Sequence, residues 1–198
     1  MTTREAILRD IRLGLGRGAQ ASPTAPAARL RIPEVPMERR IESMLERVTA
    51  LGGYAVHART VAEAVDYVAG LTNGHSRVVA DSPLLRDLGL PAGGTDCPNA
   101  RFGITSADYA LSDTGSLVMI ASSANARLIS LLPPVHIAIL PATCLLTGLD
   151  ELYTLLPKPA DVTSSMVFIT GPSRTADIEQ ILVRGVHGPG EIHVVIID

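Results

Sequence analysis

The stretch ARLISLLPPVHIAIL, residues 126–140, carries a helix signal and a strand signal parted by two prolines. In the predicted helix Ala126–Leu132, Arg127 and Ser130 lie three apart and share a face. Pro133-Pro134 ends that helix, because a proline steers the residue before it out of the helical region. Val135–Leu140 is then apolar at every position except His136, which is how a strand covered on both faces reads.

The same alternation continues on either side. Upstream, Met37–Leu51 reads as a helix stopped by Gly52-Gly53, and Tyr54–His57 as a short strand. Thr60 and Glu63 form a capping box ahead of the helical face Val61, Ala64, Val65 and Val68. Arg77–Ala80 is strand-like, Ser82–Leu88 a short helix, and residues 89–103 a surface loop rich in Gly, Pro and Asn. Asp108–Leu111 and Ser116–Ala121 flank the turn Ser112-Asp113-Thr114-Gly115, too short for a helical crossover, so that pair is expected to be an antiparallel hairpin. Downstream, the pattern predicts helices over Asp150–Leu156 and Thr175–Arg184, and strands over Ser165–Thr170 and His193–Ile197. Short β-branched strands alternating with helices imply a three-layer α/β/α sandwich with a mainly parallel mixed sheet.

Residues 1–40 stand apart, with eight arginines against four acids in an otherwise acidic chain. Thr2 and Glu5 suggest a cap, and Ile7, Leu8, Ile11 and Leu15 a helical stripe. The expected organisation is therefore a basic amphipathic helix over 1–18, an Ala/Pro-rich linker over 19–36 and one α/β domain over 37–198. The helix could pack on its own domain or serve as a docking arm.

Composition excludes several functions. At 198 residues and 46% apolar content the chain can bury a full core in one domain. A net charge of −3 argues against a nucleic-acid binder, and two Phe with no Trp offer no stacking platform. No apolar run approaches the roughly 18 residues of a membrane span, and the charged N-terminus is unlike a secretory signal, so a cytoplasmic location is expected. Cys97 and Cys144 cannot supply the four thiolates of a common iron–sulfur cluster, and no zinc spacing is present. Lys158, the sole lysine, sits in Leu-Pro-Lys-Pro rather than in a phosphate-binding loop. Neither a metal nor a cofactor is expected.

Polar groups concentrate at a few places. In Asp113-Thr114-Gly115-Ser116, Gly115 permits the tight turn, while the Asp113 carboxylate, the Thr114 hydroxyl and Ser116 could face a pocket. Arg127, Ser130 and His136 form a second group, with His136 considered for its near-neutral pKa. Gly171-Pro172-Ser173-Arg174 follows a strand and precedes the predicted helix at Thr175, so free amides and Arg174 could hold a carboxylate or a single phosphate. Asp177 and Glu179, in that helix's first turns, would weaken its pull on a polyphosphate. His187 and Gly188 lie in a Gly/Pro loop where backbone can approach a ligand. Asp113, His136 and His187 are the candidate proton-moving groups, and the others candidate ligand contacts.

Together, SADYALSDTGSLVMIAS, RLISLLPPVHIAIL, ITGPSRTADIEQILVRGVHGP and EIHVVIID resemble the lactate-utilisation protein C family, built on the LUD domain. The likeness runs from about Arg101 to the last residue. It implies a NagB/RpiA/CoA-transferase-like fold with its site at strand C-terminal ends. It also implies a part in oxidising L-lactate to pyruvate beside iron–sulfur partner proteins, and carries no catalytic residues with it. Two readings follow: an accessory, non-redox component binding a small carboxylate or phosphate, or an independent enzyme of this fold acting on an acyl or phosphorylated substrate.

Overall fold

The structure, a computed structural model, describes residues 3–16, 32–94, 96–121, 127–156, 163, 165–176 and 182–198. At its centre five strands run parallel in the order β1 (Tyr54–Ala58), β11 (Glu191–Ile197), β6 (Val135–Pro141), β3 (Phe102–Ser106) and β2 (Arg77–Val79). In β6, Val135, Ile137 and Ile139 point into one apolar cluster, and Ala138 and Leu140 into the other. Fully burying such side chains is worth about 1.5–3 kcal/mol each, so a strand covered twice anchors both layers.

One cover consists of α3 (Val61–Thr72) and α4 (Pro83–Asp87), which bury Ala64, Val68 and Leu85. The Thr60 hydroxyl accepts from Glu63 N–H, as the capping box predicts, and the Glu63 carboxylate accepts from Arg59 N–H. On the other face lies α2 (Met37–Ala50), whose Ile41, Met44 and Val48 are spaced to fall on one side. Gly52, at φ +80, and Gly53 end it as expected.

The expected hairpin of β4 (Tyr109–Leu111) and β5 (Ser116–Ile120) is antiparallel, with Gly115 at φ +70. It belongs to a separate four-stranded sheet of order β7 (Leu145–Leu146), β4, β5, β8 (Met166–Ile169), which shares a core with α2. The remaining helices are α5 (Arg127–Leu131) and α6 (Leu149–Leu155). α1 (Thr3–Gly14) buries none of its residues, and Ile7, Ile11 and the following Leu15 are each more than half exposed. No helix among the described residues is long and apolar enough to cross a membrane.

Two sequence expectations fail. The loop over 89–103 ends early, because Phe102 opens β3, the neighbour of β6. Gly103 reads as a breaker, yet packing demands it: a Cβ there would lie 1.9 Å from the Ile129 carbonyl oxygen. Among the described residues of the expected helix Thr175–Arg184, none is helical. Instead β9 (Arg174–Ala176) pairs antiparallel with β10 (Leu182–Arg184), with Thr175 in register with Val183. Asp177 and Glu179 lie outside the described residues.

Gly103→Ala is expected to cost roughly 3 kcal/mol, the upper end of overpacking penalties. Gly70→Ala, in α3 with open space around a new Cβ, should gain about 0.5–1 kcal/mol. Urea denaturation of both variants checks the pair.

Candidate functional site

A cavity of about 370 Å³ opens between the second sheet, α5 and the loop that leads into β11. Its walls come from the end of β5 with Ala121, from Arg127, Ser130 and Leu131 of α5, and from β8 with the Thr170-Gly171 turn. Ser173, Arg174, His187, Gly188, Pro189 and Ile192 complete it. The position differs from the one the resemblance implies. The cavity adjoins the start of β11, and none of the residues that end the parallel strands lines it.

Backbone bonds fix its two loops against each other. Ser173 N–H donates to Pro189 C=O at 2.8 Å, and Gly185 N–H to Ser173 C=O at 3.1 Å. Gly188 fits where these loops meet α5; a Cβ would lie 3.5 Å from Ser173 Cβ and 3.7 Å from Leu131 Cδ1. Since 174–176 form a strand, no helix begins at Arg174, and the Ser173 amide is already committed. The cationic groups at the cavity are side chains.

Arg127, Arg174 and His187 are exposed at the cavity, and no Asp or Glu is among its described lining residues. Arg174 has a second duty: its guanidinium donates to Leu51 C=O at the end of α2, where Arg184 also approaches Gly52. Cations at a helix C-terminus are favourable, so Arg174 ties α2 to the cavity rim. Ser130 turns inward on its own helix, its hydroxyl donating to Arg127 C=O. Met119 and Ile192, at 5% and 2% exposure, form an apolar floor.

Of the residues singled out in the sequence, the structure gathers Arg127, Ser130, Gly171, Ser173, Arg174, His187 and Gly188 around this cavity. Pro172 is buried beside it. The 113–116 turn stands apart but is connected: Thr114 and Ser116 hydroxyls lie 2.8 Å apart, and Ser116 meets the Thr170 hydroxyl at 2.7 Å. Thr170 lines the cavity. Sequence reasoning missed it as a contact because it reads as a strand end, just as Met119 reads only as the interior of a strand, while Ile192 precedes the predicted strand His193–Ile197 and carries no signal.

Gly115 serves packing, since a Cβ would lie 2.8 Å from Arg47 Cβ on α2. Asp113 lies at another concavity, near Thr147, Asp150 and Glu151. Burial pushes the Glu151 carboxyl up, but Thr147 N–H and the Arg40 guanidinium outweigh this and hold it below the usual carboxylate range.

His136 is fully buried in β6, its Nε2 2.8 Å from the Thr105 hydroxyl. Burial lowers its pKa from 6.5 to about 4, so it is neutral near pH 7. Of the three candidate proton-moving groups only His187 lines the cavity. No group of three or more His, Cys, Asp or Glu among the described residues could hold a metal ion.

Comparison with known proteins adds a family context. A model of the LUD domain matches residues 96–197. A protein named lactate utilization protein C from Halalkalibacterium halodurans is 42% identical over 94 residues, 46% of this chain and 41% of that one. Its namesake from Exiguobacterium sp. is 39% identical over 102 residues, 50% of this chain and 44% of that one. The matched region thus spans less than half the length of either relative. A crystal structure of a DUF162 family protein from Deinococcus radiodurans superposes with TM-score 0.65 at 16% identity, covering 83% of this chain and all of that one. That likeness shows the fold, an α/β architecture with a mainly parallel sheet flanked by helices.

His136 makes stability pH-dependent with a definite sign. Its folded pKa is depressed, so the unfolded chain takes the proton first as the pH drops. Its contribution is intact above the unfolded value of 6.5 and is lost as pH falls towards about 4. The loss should be about 3 kcal/mol in that window, and the slope should flatten in His136→Gln. Urea midpoints measured from pH 7 to 4 check this.

Proposed function

Because the chain belongs to the LUD domain family, we propose that it is an accessory, non-redox component of L-lactate utilisation, holding a small anionic ligand in the cavity described above. The observation that carries this reading is that every described lining residue of the cavity falls within the matched segment 96–197. Relatives named lactate utilization protein C supply the pathway. The mouth, bearing Arg127, Arg174 and His187 with no described carboxylate, favours a carboxylate or a phosphate.

The oxidation of L-lactate to pyruvate would fall to iron–sulfur partner proteins in the cytoplasm. This chain's two cysteines are fewer than the four thiolates a common cluster takes. In this reading the N-terminal helix is a docking arm, for which the exposed Ile7, Ile11 and Leu15 supply an apolar face; the expected linker lies mostly outside the described residues. The alternative, an independent enzyme on this fold, loses support because Asp113 and His136 lie away from the cavity.

Purifying the tagged chain from lactate-grown cells should recover iron–sulfur proteins, and an Ile7→Asp, Ile11→Asp double variant should lose them while melting unchanged. Recovery of the chain alone under gentle conditions would overturn the partner assignment. Calorimetry with pyruvate and inorganic phosphate tests the ligand. Arg127→Ala should weaken the bound anion at least tenfold (about 1.4 kcal/mol) with stability intact. Arg174→Ala should also lower stability by about 1 kcal/mol, through its lost bond to the end of α2.

A further inference from the structure

The cavity is larger and more apolar than a three-carbon acid needs. Clefts of roughly 300–1,000 Å³ bury drug-sized organic ligands, and this one measures about 370 Å³. With each water occupying about 30 Å³, it has room for about a dozen, whereas lactate displaces about four. A bound lactate at the mouth would leave Leu131, Val167 and Phe168 against water.

The charged side chains are confined to the exposed part of the cavity, while apolar ones line it at every depth. Arg127, Arg174 and His187 are exposed, Val167 is half-buried, and Met119 and Ile192 are buried in the core they share with α2. Leu131, on α5, closes one wall beside Gly188. A guest that satisfies both ends must place an acid at the rim and hydrocarbon on the floor.

We infer that the cavity takes an amphipathic organic anion, a carboxylate or phosphate joined to an apolar body of about five or more carbons. The inference rests on the anion-binding reading above and narrows it. The guanidiniums hold the headgroup, and the body displaces water from the apolar lining at Leu131, Val167 and Phe168. Every methylene buried adds about fourfold in affinity.

The test is calorimetry of the full chain with lactate, octanoate, hexyl phosphate and 1-octanol. Octanoate or hexyl phosphate should bind at least tenfold tighter than lactate, the stronger of the two identifying the headgroup. The neutral alcohol should bind at least tenfold more weakly than octanoate. Arg127→Gln should lose that advantage of acid over alcohol. Val167→Thr, which places a hydroxyl on the wall, should weaken octanoate severalfold without affecting lactate; Leu131→Gln replaces it should Val167→Thr melt early.

Lactate binding as tightly as octanoate overturns the inference and leaves the small-anion reading standing. If none of the four binds, the inference falls, and the titrations with pyruvate and inorganic phosphate decide the small-anion reading separately. Octanol matching octanoate removes the role of the acid, and octanoate affinity unchanged in both variants places its binding elsewhere; either result overturns the proposal.

Discussion

Exclusion of water from both faces of β6 governs the molecule. Val135 through Leu140 are all buried, so the layer on each side must present apolar side chains in register with that strand. β11 answers with the same two-sided pattern: Ile192, Val194 and Ile196 face α2 and the second sheet, and Val195 and Ile197 face α3. Parallel pairing on both sides of β6 leaves no exposed edge there, which is why the sheet can be hydrophobic through its thickness.

Two residues record how tightly this layer is closed. At Gly103 the α5 backbone approaches β3 too closely for any side chain. At His136 a titratable ring is sealed in the core, hydrogen-bonded to Thr105 and kept neutral by the cost of burying a charge.

The cavity forms where that closure relaxes. Near the start of β11 the core of the second sheet reaches its end, and α5 with the 171–174 and 185–190 segments encloses a space instead of filling it. The Ser173–Pro189 bond holds its rim, and Arg174 connects the rim to the last carbonyls of α2. A site built this way has a charged mouth supplied by loops and a hydrocarbon floor supplied by the core.

Local pattern alone was enough to establish the helix-proline-proline-strand reading of 126–140, the α2 stripe, the Thr60 cap and the 112–115 hairpin, because each depends on neighbours in sequence. The cationic groups Arg127, Arg174 and His187 were visible for the same reason: residue type sets their charge. Tertiary structure decided what local pattern could not. Gly103 looked like a loop residue until α5 was seen pressing on it, and Thr175–Arg184 showed helix caps where strands pair. Burial moves the near-neutral pKa that residue type gives His136 down to about 4. That the three cations converge on one hydrocarbon-floored hollow follows from contacts between segments far apart in the chain, and no spacing within any one segment encodes them.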